Sequence, residues 1–289
     1  MKNRTTFATA CIALLLALTA GCGLFTGQAR STSQSVTEAN AETASVSPGE
    51  PAAVHTDVEV RVISQGAKFV GTSMGGVQIT LRDAETGELL AEGLTAGSTG
   101  DTKKIKSAQP RLGDVMSTED SAVFRTTLKL SEPRLIEATA YGPLAQRQSA
   151  NRVSQTQFVV PGKDVTGGDA WLLELRGVVV DVLEPPTHVK LSGTPQTIRL
   201  HANVAMMCGC ALTPGGAWDA DQFEVGAILK RDGEKVRTVK LDYAGKPSQF
   251  ATDVQVGEPG TYEATVYAYN ASDGNTGLDT VTFIVQPAD

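Results

Sequence analysis

The 289-residue chain is poor in several residue types on which protein chemistry often depends. It contains 3 His and 4 Cys, and aromatic residues make up only 5% of it. Four cysteines are too few for a disulfide-rich scaffold in a chain of this length. Asp and Glu exceed Lys and Arg by 32 to 25, and no Lys/Arg cluster is present. This acidic balance argues against nucleic acid as a partner and against docking on anionic lipid through charge.

The chain also lacks a hydrophobic run long enough for a comfortable membrane span, which needs about 20 residues. The apolar stretch from Phe7 to Leu18 is shorter, follows Lys2 and Arg4, and ends in small residues. These features predict a signal peptide over residues 1–21. Without that segment the formal net charge falls from −7 to −9, because Lys2 and Arg4 leave and no acid leaves with them.

The residues Thr19-Ala20-Gly21-Cys22 resemble the bacterial lipobox. The resemblance implies that Cys22 is lipidated and becomes the new N-terminus, although Thr19 stands where that motif usually has Leu. An ordinary secretory signal cleaved elsewhere is the alternative. Several acyl chains would anchor the protein stably in a membrane. Because Gly23 and not Asp follows the cysteine, the expected location is the bacterial cell envelope, at the outer membrane facing the periplasm.

The segment after Cys22 has the composition of a tether. Residues 27–54 are rich in Ser, Thr, Ala and Glu and contain no aromatic residue. Such a segment buries too little apolar surface to offset the entropy of ordering. The sequence therefore predicts a flexible tether over residues 22–54, spanning about 30 Å as a random coil.

The remaining chain reads as β-structure throughout. Apolar residues alternate with polar ones at Val58, Val60 and Val62 and again from Val77 to Leu81, and turn residues separate such runs. About seven short strands follow Pro186, the number typical of an immunoglobulin-like sandwich. The prediction is an all-β chain of two Ig-like β-sandwich domains in tandem, at residues 55–168 and 169–289. Residues 145–154 are the least β-like and are expected to form a helical turn or a loop.

Two local patterns resemble known modules. The segments 260–266 and 281–285, joined by a turn at Asp273-Gly274-Asn275, resemble the last two strands of bacterial Ig-like modules, with Tyr262 in the place of a corner tyrosine. The hairpin sequence of residues 77–95 resembles transthyretin-like and collagen-adhesin B-type repeats. Together with the lipobox, the resemblance is to bacterial cell-envelope lipoproteins. It implies a fold more than a function.

One catalytic motif occurs, as Gly71-Thr72-Ser73-Met74-Gly75 matches G-x-S-x-G. In α/β-hydrolases this spacing exposes the serine at a sharp turn from a strand into a helix. Here a strand pattern follows Ser73, and the α/β alternation of that fold is missing. A serine hydrolase using Ser73 is therefore the weakest functional hypothesis, and a glycine-rich loop between strands is the simpler interpretation.

Cys208 and Cys210 are the only thiols of the predicted folded region, with Gly209 between them. Three interpretations remain open: a disulfide that closes the loop, a soft-metal site, or two free thiols. Thiolate and thioether ligands suit copper, and Met207 is the neighbour best placed to join the pair. Strand alternation turns His201 and Met206 to opposite faces.

The loop after the cysteines carries Trp218, Asp219 and Asp221. An exposed tryptophan is a frequent binding anchor, and paired carboxylates with loop carbonyls suit Ca²⁺. The alternative is that Trp218 closes the end of the core and the two Asp residues cap a turn. The identity of any metal stays unknown from the sequence.

These features predict a non-catalytic binding or assembly module without a cofactor. Its binding surface would be formed by loops of the second domain around Met206–Asp221, and its partner would be an unidentified envelope protein. The alternative is a periplasmic copper or redox protein that uses Cys208, Cys210 and Met207.

Overall fold

A computed structural model describes residues 52–106 and 113–288, and in this part of the chain nearly all regular structure is β. The predicted signal peptide, Cys22 and the tether up to residue 51 lie outside the described residues. The strands are β1 Val54–Ser64, β2 Gln78–Asp83, β3 Leu89–Leu94, β4 Phe124–Leu130, β5 Arg134–Gly142, β6 Asn151–Val159, β7 Trp171–Leu175, β8 Val178–Glu184, β9 Val189–Leu191, β10 Gln196–Met206, β11 Phe223–Arg231, β12 Glu234–Lys240, β13 Asp242–Tyr243, β14 Gln249–Val256, β15 Gly260–Asn270 and β16 Thr276–Val285. One short helix, α1, spans Thr102–Ile105. The all-β prediction is confirmed, and none of the described helices has the length and apolar character needed to cross a membrane.

The first sandwich consists of a three-stranded sheet, β4-β1-β7, and a four-stranded sheet, β3-β2-β5-β6. The predicted alternation of β1 is observed, with Val58, Val60 and Val62 buried in the core between the sheets. The strand β7 pairs in parallel with β1, and Trp171 belongs to the same core. The strand β7 therefore belongs to the first sandwich, which extends to Leu175.

The second sandwich packs the sheet β13-β14-β10-β8 against the sheet β12-β11-β15-β16-β9. The short strand β9 pairs in parallel with the last strand, β16. Tyr262 stacks on Phe283 at 5.3 Å between ring centroids, and its hydroxyl donates a hydrogen bond of 2.9 Å to the carbonyl oxygen of Glu258. A tyrosine near the start of a strand that bonds back to the preceding chain has the geometry of the expected corner tyrosine.

Two predicted hairpins are present, while one loop is shorter than expected. The strands β2 and β3 pair around a turn in which Asp83 accepts hydrogen bonds from the amides of Glu85 and Thr86. The strands β15 and β16 pair around the turn at residues 271–275. The strand β6 begins at Asn151, so residues 151–154 are extended rather than part of a helical turn or loop. Pairing with β5 along the whole length of β6 accounts for the difference.

The described residues belong to one compact unit, in which side chains pass from each sandwich into the other. Met207 is fully buried in the core of the first sandwich, although it follows β10 of the second. Ala67, which follows β1, is buried in the core of the second. Asn275 accepts a hydrogen bond of 2.8 Å from the amide of Gly177 and donates one of 3.4 Å to the carbonyl of Gln65. These contacts interlock the two sandwiches at a common junction.

Candidate binding site at the sandwich junction

The loop that carries Trp218 is held in shape by its own hydrogen bonds. The amide of Thr213 donates to the carbonyl of Trp218 at 3.0 Å, which closes the loop at its base. One carboxylate oxygen of Asp219 accepts from the amides of Gly215 at 2.8 Å and Asp221 at 3.1 Å. Asp219 thereby caps the 3-10 helix Ala220–Gln222. The loop is organised before any ligand arrives.

Trp218 joins this loop to the first sandwich. Its indole Nε1 donates a hydrogen bond of 3.1 Å to the carbonyl of Gly66. The ammonium group of Lys106, at the end of α1, lies 5.7 Å from the centre of the indole ring, within the range of a cation–π contact. The ring is half-buried. Trp218 therefore packs against the second core and also faces a cavity.

The cavity next to Trp218 has a volume of about 510 Å³ and is lined by both sandwiches. Gly66 and Lys106 come from the first sandwich, and the Trp218 loop and the β15–β16 turn come from the second. We call this cavity the junction cleft. A second cavity of about 360 Å³ shares Gly66 and Lys106 with it. Clefts between packed domains are common ligand sites.

Polar groups without partners lie beside the cleft. Ser64 is 1% exposed and lines the second cavity, and among the described residues its hydroxyl oxygen has no hydrogen-bond partner. The same holds for the buried side-chain carbonyl of Gln65, which immediately precedes Gly66. Buried polar atoms are normally paired with protein, water or a ligand. Ser64 belongs to the wall of the second cavity, and Gln65 adjoins Gly66, which lines both cavities.

The sequence singles out the Trp218 loop but gives no signal for the other wall of the cleft. Lys106 and Gly66 carry no local signal of a site, since an exposed lysine and a turn glycine are ordinary features of a sequence. Gly66 meets Trp218 across 152 positions of sequence. Only the three-dimensional arrangement brings these residues together.

Cys208 and Cys210 form a disulfide, with 5.4 Å between their Cα atoms. Gly209 between them has a φ of 76°, a left-handed conformation that glycine adopts without strain. A Cβ atom at this position would lie 2.6 Å from the sulfur of Met74, so the turn also abuts the first sandwich. The disulfide thus closes the turn that enters the junction.

Of the three residues predicted for the alternative copper site, Cys208 and Cys210 lie together in their disulfide, and Met207 lies apart from them. Cys208 is buried in the second core, whereas Met207 points into the first. His201 bonds Gln249 at 3.1 Å and lies 3.5 Å from Glu184, on the half-buried side of β10. Within residues 52–106 and 113–288 no group of three or more His, Cys, Asp or Glu side chains is arranged to hold a metal ion. In the predicted Asp219–Asp221 pair, Asp219 accepts hydrogen bonds from amides of its own loop, and Asp221 is exposed.

Ser73 lies in a three-residue 3-10 helix, Thr72–Met74, on the exposed surface. Gly75 follows in a left-handed conformation, and the chain then enters β2. A nucleophile elbow requires the opposite order, in which the serine follows a strand and begins a helix. The glycine-rich stretch is therefore a loop between strands, and it packs on residues 144–145, where the amide of Ala145 donates to the carbonyl of Met74 at 3.0 Å.

No family model matches this chain, and no curated protein does. Its fold is similar to that of the fibronectin(III)-like modules of Clostridium thermocellum CbhA, with 13% identity over 81% of this chain and 95% of that one and a TM-score of 0.28. It is also similar to the tip fimbrial protein of Porphyromonas gingivalis, with 12% identity over 79% and 81% and a TM-score of 0.27. An engineered protein matches with 18% identity and a TM-score of 0.29. That match covers 44% of this chain and 24% of the engineered one.

Proposed function

We propose that this chain is a non-catalytic lipoprotein of the bacterial cell envelope that binds or assembles with an envelope protein through the junction cleft. The observation that carries the proposal is the convergence of both sandwiches on a cavity of about 510 Å³ with the half-buried indole of Trp218 in its wall.

The geometry of the cleft favours binding over chemistry. The Trp218 loop is fixed by hydrogen bonds to Asp219 and Thr213, so little conformational entropy is lost when a partner enters. The wall offers an aromatic face, the ammonium group of Lys106 and polar groups of the β15–β16 turn. An aromatic anchor surrounded by polar groups is the usual composition of an interface hot spot.

The proposed location rests on the sequence. A positive segment, an apolar run and the small residues before Cys22 support export and lipidation. The segment 22–54 then provides a spacer between the anchor and β1. A binding module held at a membrane in this way meets partners that share the same compartment.

A photo-crosslinking experiment tests the cleft. Ala217 lines it and is exposed, so a benzoylphenylalanine placed there in the full chain should give a discrete adduct in native envelopes. A matched probe at Val236, which is 51% exposed on the distant strand β12, should not give that adduct. Lys106→Glu in the Ala217 background should abolish it, because the charge of the cleft wall is reversed. Identical adducts at Ala217 and Val236, or none at Ala217, would contradict the proposal.

The anchor has a separate test. Cys22→Ser should abolish incorporation of labelled palmitate and release the chain from the membrane fraction, while Cys208→Ser, together with Cys210→Ser, should leave the label in place. Incorporation of the label into the Cys22→Ser protein would show that the chain is not lipidated at this residue.

A further inference from the structure

The strand β6 is a long free edge of the first sandwich. It occupies an outer position in the sheet β3-β2-β5-β6, and in the described part of the chain its backbone pairs only with β5. Its nine residues, Asn151–Val159, include a single charged residue, Arg152. Phe158 is 69% exposed, and Val160 just beyond the strand is 41% exposed. A strand of this kind offers a row of unpaired amides and carbonyls to another strand.

Four other edge strands of the two sandwiches are protected in familiar ways. The edge strand β12 carries four charged residues, namely Glu234, Lys235, Arg237 and Lys240. The edge strand β4 carries Arg125 and Lys129. The edge strands β9 and β13 are only three and two residues long. Charges and short length both discourage strand addition. The edge of β6 has neither protection.

We propose that β6 pairs antiparallel with β6 of a second copy of this chain, about a two-fold axis at Gln155. Gln155 is the middle residue of the strand, so this register pairs all nine residues of both copies. It joins the two four-stranded sheets into one continuous sheet. The contact uses the same surface on both copies, as a two-fold interface requires.

The outward-facing residues of β6 are complementary to their own reverse in this register. Arg152 lies opposite Phe158 of the second copy, where the guanidinium group can contact an aromatic face. Ser154 lies opposite Thr156, a favourable hydroxyl pair. The only charged residue never faces itself, whereas a two-fold axis at Arg152 would place like charges directly opposite each other. This complementarity identifies a second copy as the occupant of the edge.

The outer face of the sheet is already arranged for this pairing. Arg152 lies over the ring of Tyr141, with 5.9 Å between its guanidinium carbon and the ring centre. Phe158 projects from the same face of β6, six residues along the strand. In the dimer the aromatic and guanidinium groups of both copies alternate across the new strand pair. The exposed area of Phe158 is then removed from water, which favours association.

A cysteine at the axis tests the register. In the full chain in its native membrane, Gln155→Cys would place two thiols on residues whose Cα atoms lie about 4.5–5.5 Å apart across an antiparallel pair, within the range of a disulfide. Gln157→Cys is the matched control, because it leaves Arg152 and Phe158 unchanged and its two copies would be about 14 Å apart. We expect a non-reducing gel to show a dimer for Gln155→Cys and none for Gln157→Cys. A dimer of equal yield at both positions, or at neither, would overturn the proposal.

A second test leaves Gln155, the residue at the two-fold axis, unchanged. Ser154→Lys combined with Thr156→Lys changes two exposed positions and places ammonium groups opposite each other across the axis. The mass of the detergent-purified chain, measured by ultracentrifugation, should fall from that of a dimer to that of a monomer, with an unchanged circular-dichroism spectrum. A parent chain that is monomeric and whose Gln155→Cys form crosslinks to a different envelope protein would assign the edge to another partner and refute self-pairing. The cleft experiment above is independent of either result.

Discussion

At the scale of single residues, two aspartates respond to pH in opposite directions. The backbone amide of Thr86 donates to Asp83, and with the amide of Glu85 and the charge of Arg134 it lowers the pKa of this carboxyl below its ordinary value of 3.8. Asp181 differs, because burial first and the nearby charge of Asp279 second raise its pKa above 3.8. The two carboxylates therefore affect stability with opposite signs.

Asp83→Asn should destabilise the protein at neutral pH. The native carboxylate binds its proton more weakly than the unfolded one, so its contribution to stability is present above 3.8 and is lost as the pH falls through the lower folded pKa. The difference in melting temperature between parent and variant should thus shrink in acid. A difference that stays constant from neutral pH to below the folded pKa would show that the turn depends on shape and not on charge.

Asp181→Asn should have the reverse effect. The folded protein binds the Asp181 proton more tightly than the unfolded chain, so the favourable contribution is fully present below 3.8 and is lost as the pH rises through the raised folded pKa. The amide variant should therefore melt at a higher temperature than the parent at neutral pH and lose that advantage in acid. Asp279→Asn would not test the same effect as Asp181→Asn, because Asp279 accepts hydrogen bonds from the amides of Val182 and Thr280. A lower melting temperature of Asp181→Asn at neutral pH would contradict this sign.

At the scale of elements, the sequence predicts those strand pairs that are determined by residues close together along the chain. The hairpins β2–β3 and β15–β16 follow from alternation and turn residues, and both are observed. The parallel pairs β1–β7 and β9–β16 leave no such trace, because each joins strands that are far apart along the chain. The same difference between local and long-range contacts decides which part of the candidate site the sequence predicts. The Trp218 loop is recognisable from its residues, whereas the wall formed by Gly66 and Lys106 depends on the packing of two sandwiches.

The hydroxyl at the corner of β15 can be removed while the ring of Tyr262 stays in place. Tyr262→Phe deletes the hydroxyl that donates to the carbonyl of Glu258, while the ring stack on Phe283 remains. The loss should lower the free energy of unfolding by about 1 kcal/mol. Tyr269→Phe on the same strand is the control, because that residue is 39% exposed and its change should have little effect. Chemical denaturation measures both, and equal effects would mean that the corner bond contributes nothing specific.

At the scale of the whole molecule, the turn at residues 206–210 couples the sandwiches. Met206 and Cys208 are buried in the second core, and Met207 between them is buried in the first. The disulfide between Cys208 and Cys210 closes this turn and helps to keep Met207 in place. Strain or loosening in one sandwich is therefore transmitted to the other through a side chain that belongs to both.

Met207→Ala should separate the unfolding of the two sandwiches. Truncating a buried methionine costs about 2–5 kcal/mol, and here the lost contacts are those between a turn of the second sandwich and the core of the first. Met206→Ala is the matched control, since it removes a side chain of equal size that is 2% exposed and belongs to the second core. Calorimetry should show one transition for the parent and for Met206→Ala but two for Met207→Ala. A single transition in both variants, lowered to the same extent, would mean that the remaining junction contacts, including those of Asn275 and Trp218, suffice to hold the sandwiches together as one cooperative unit.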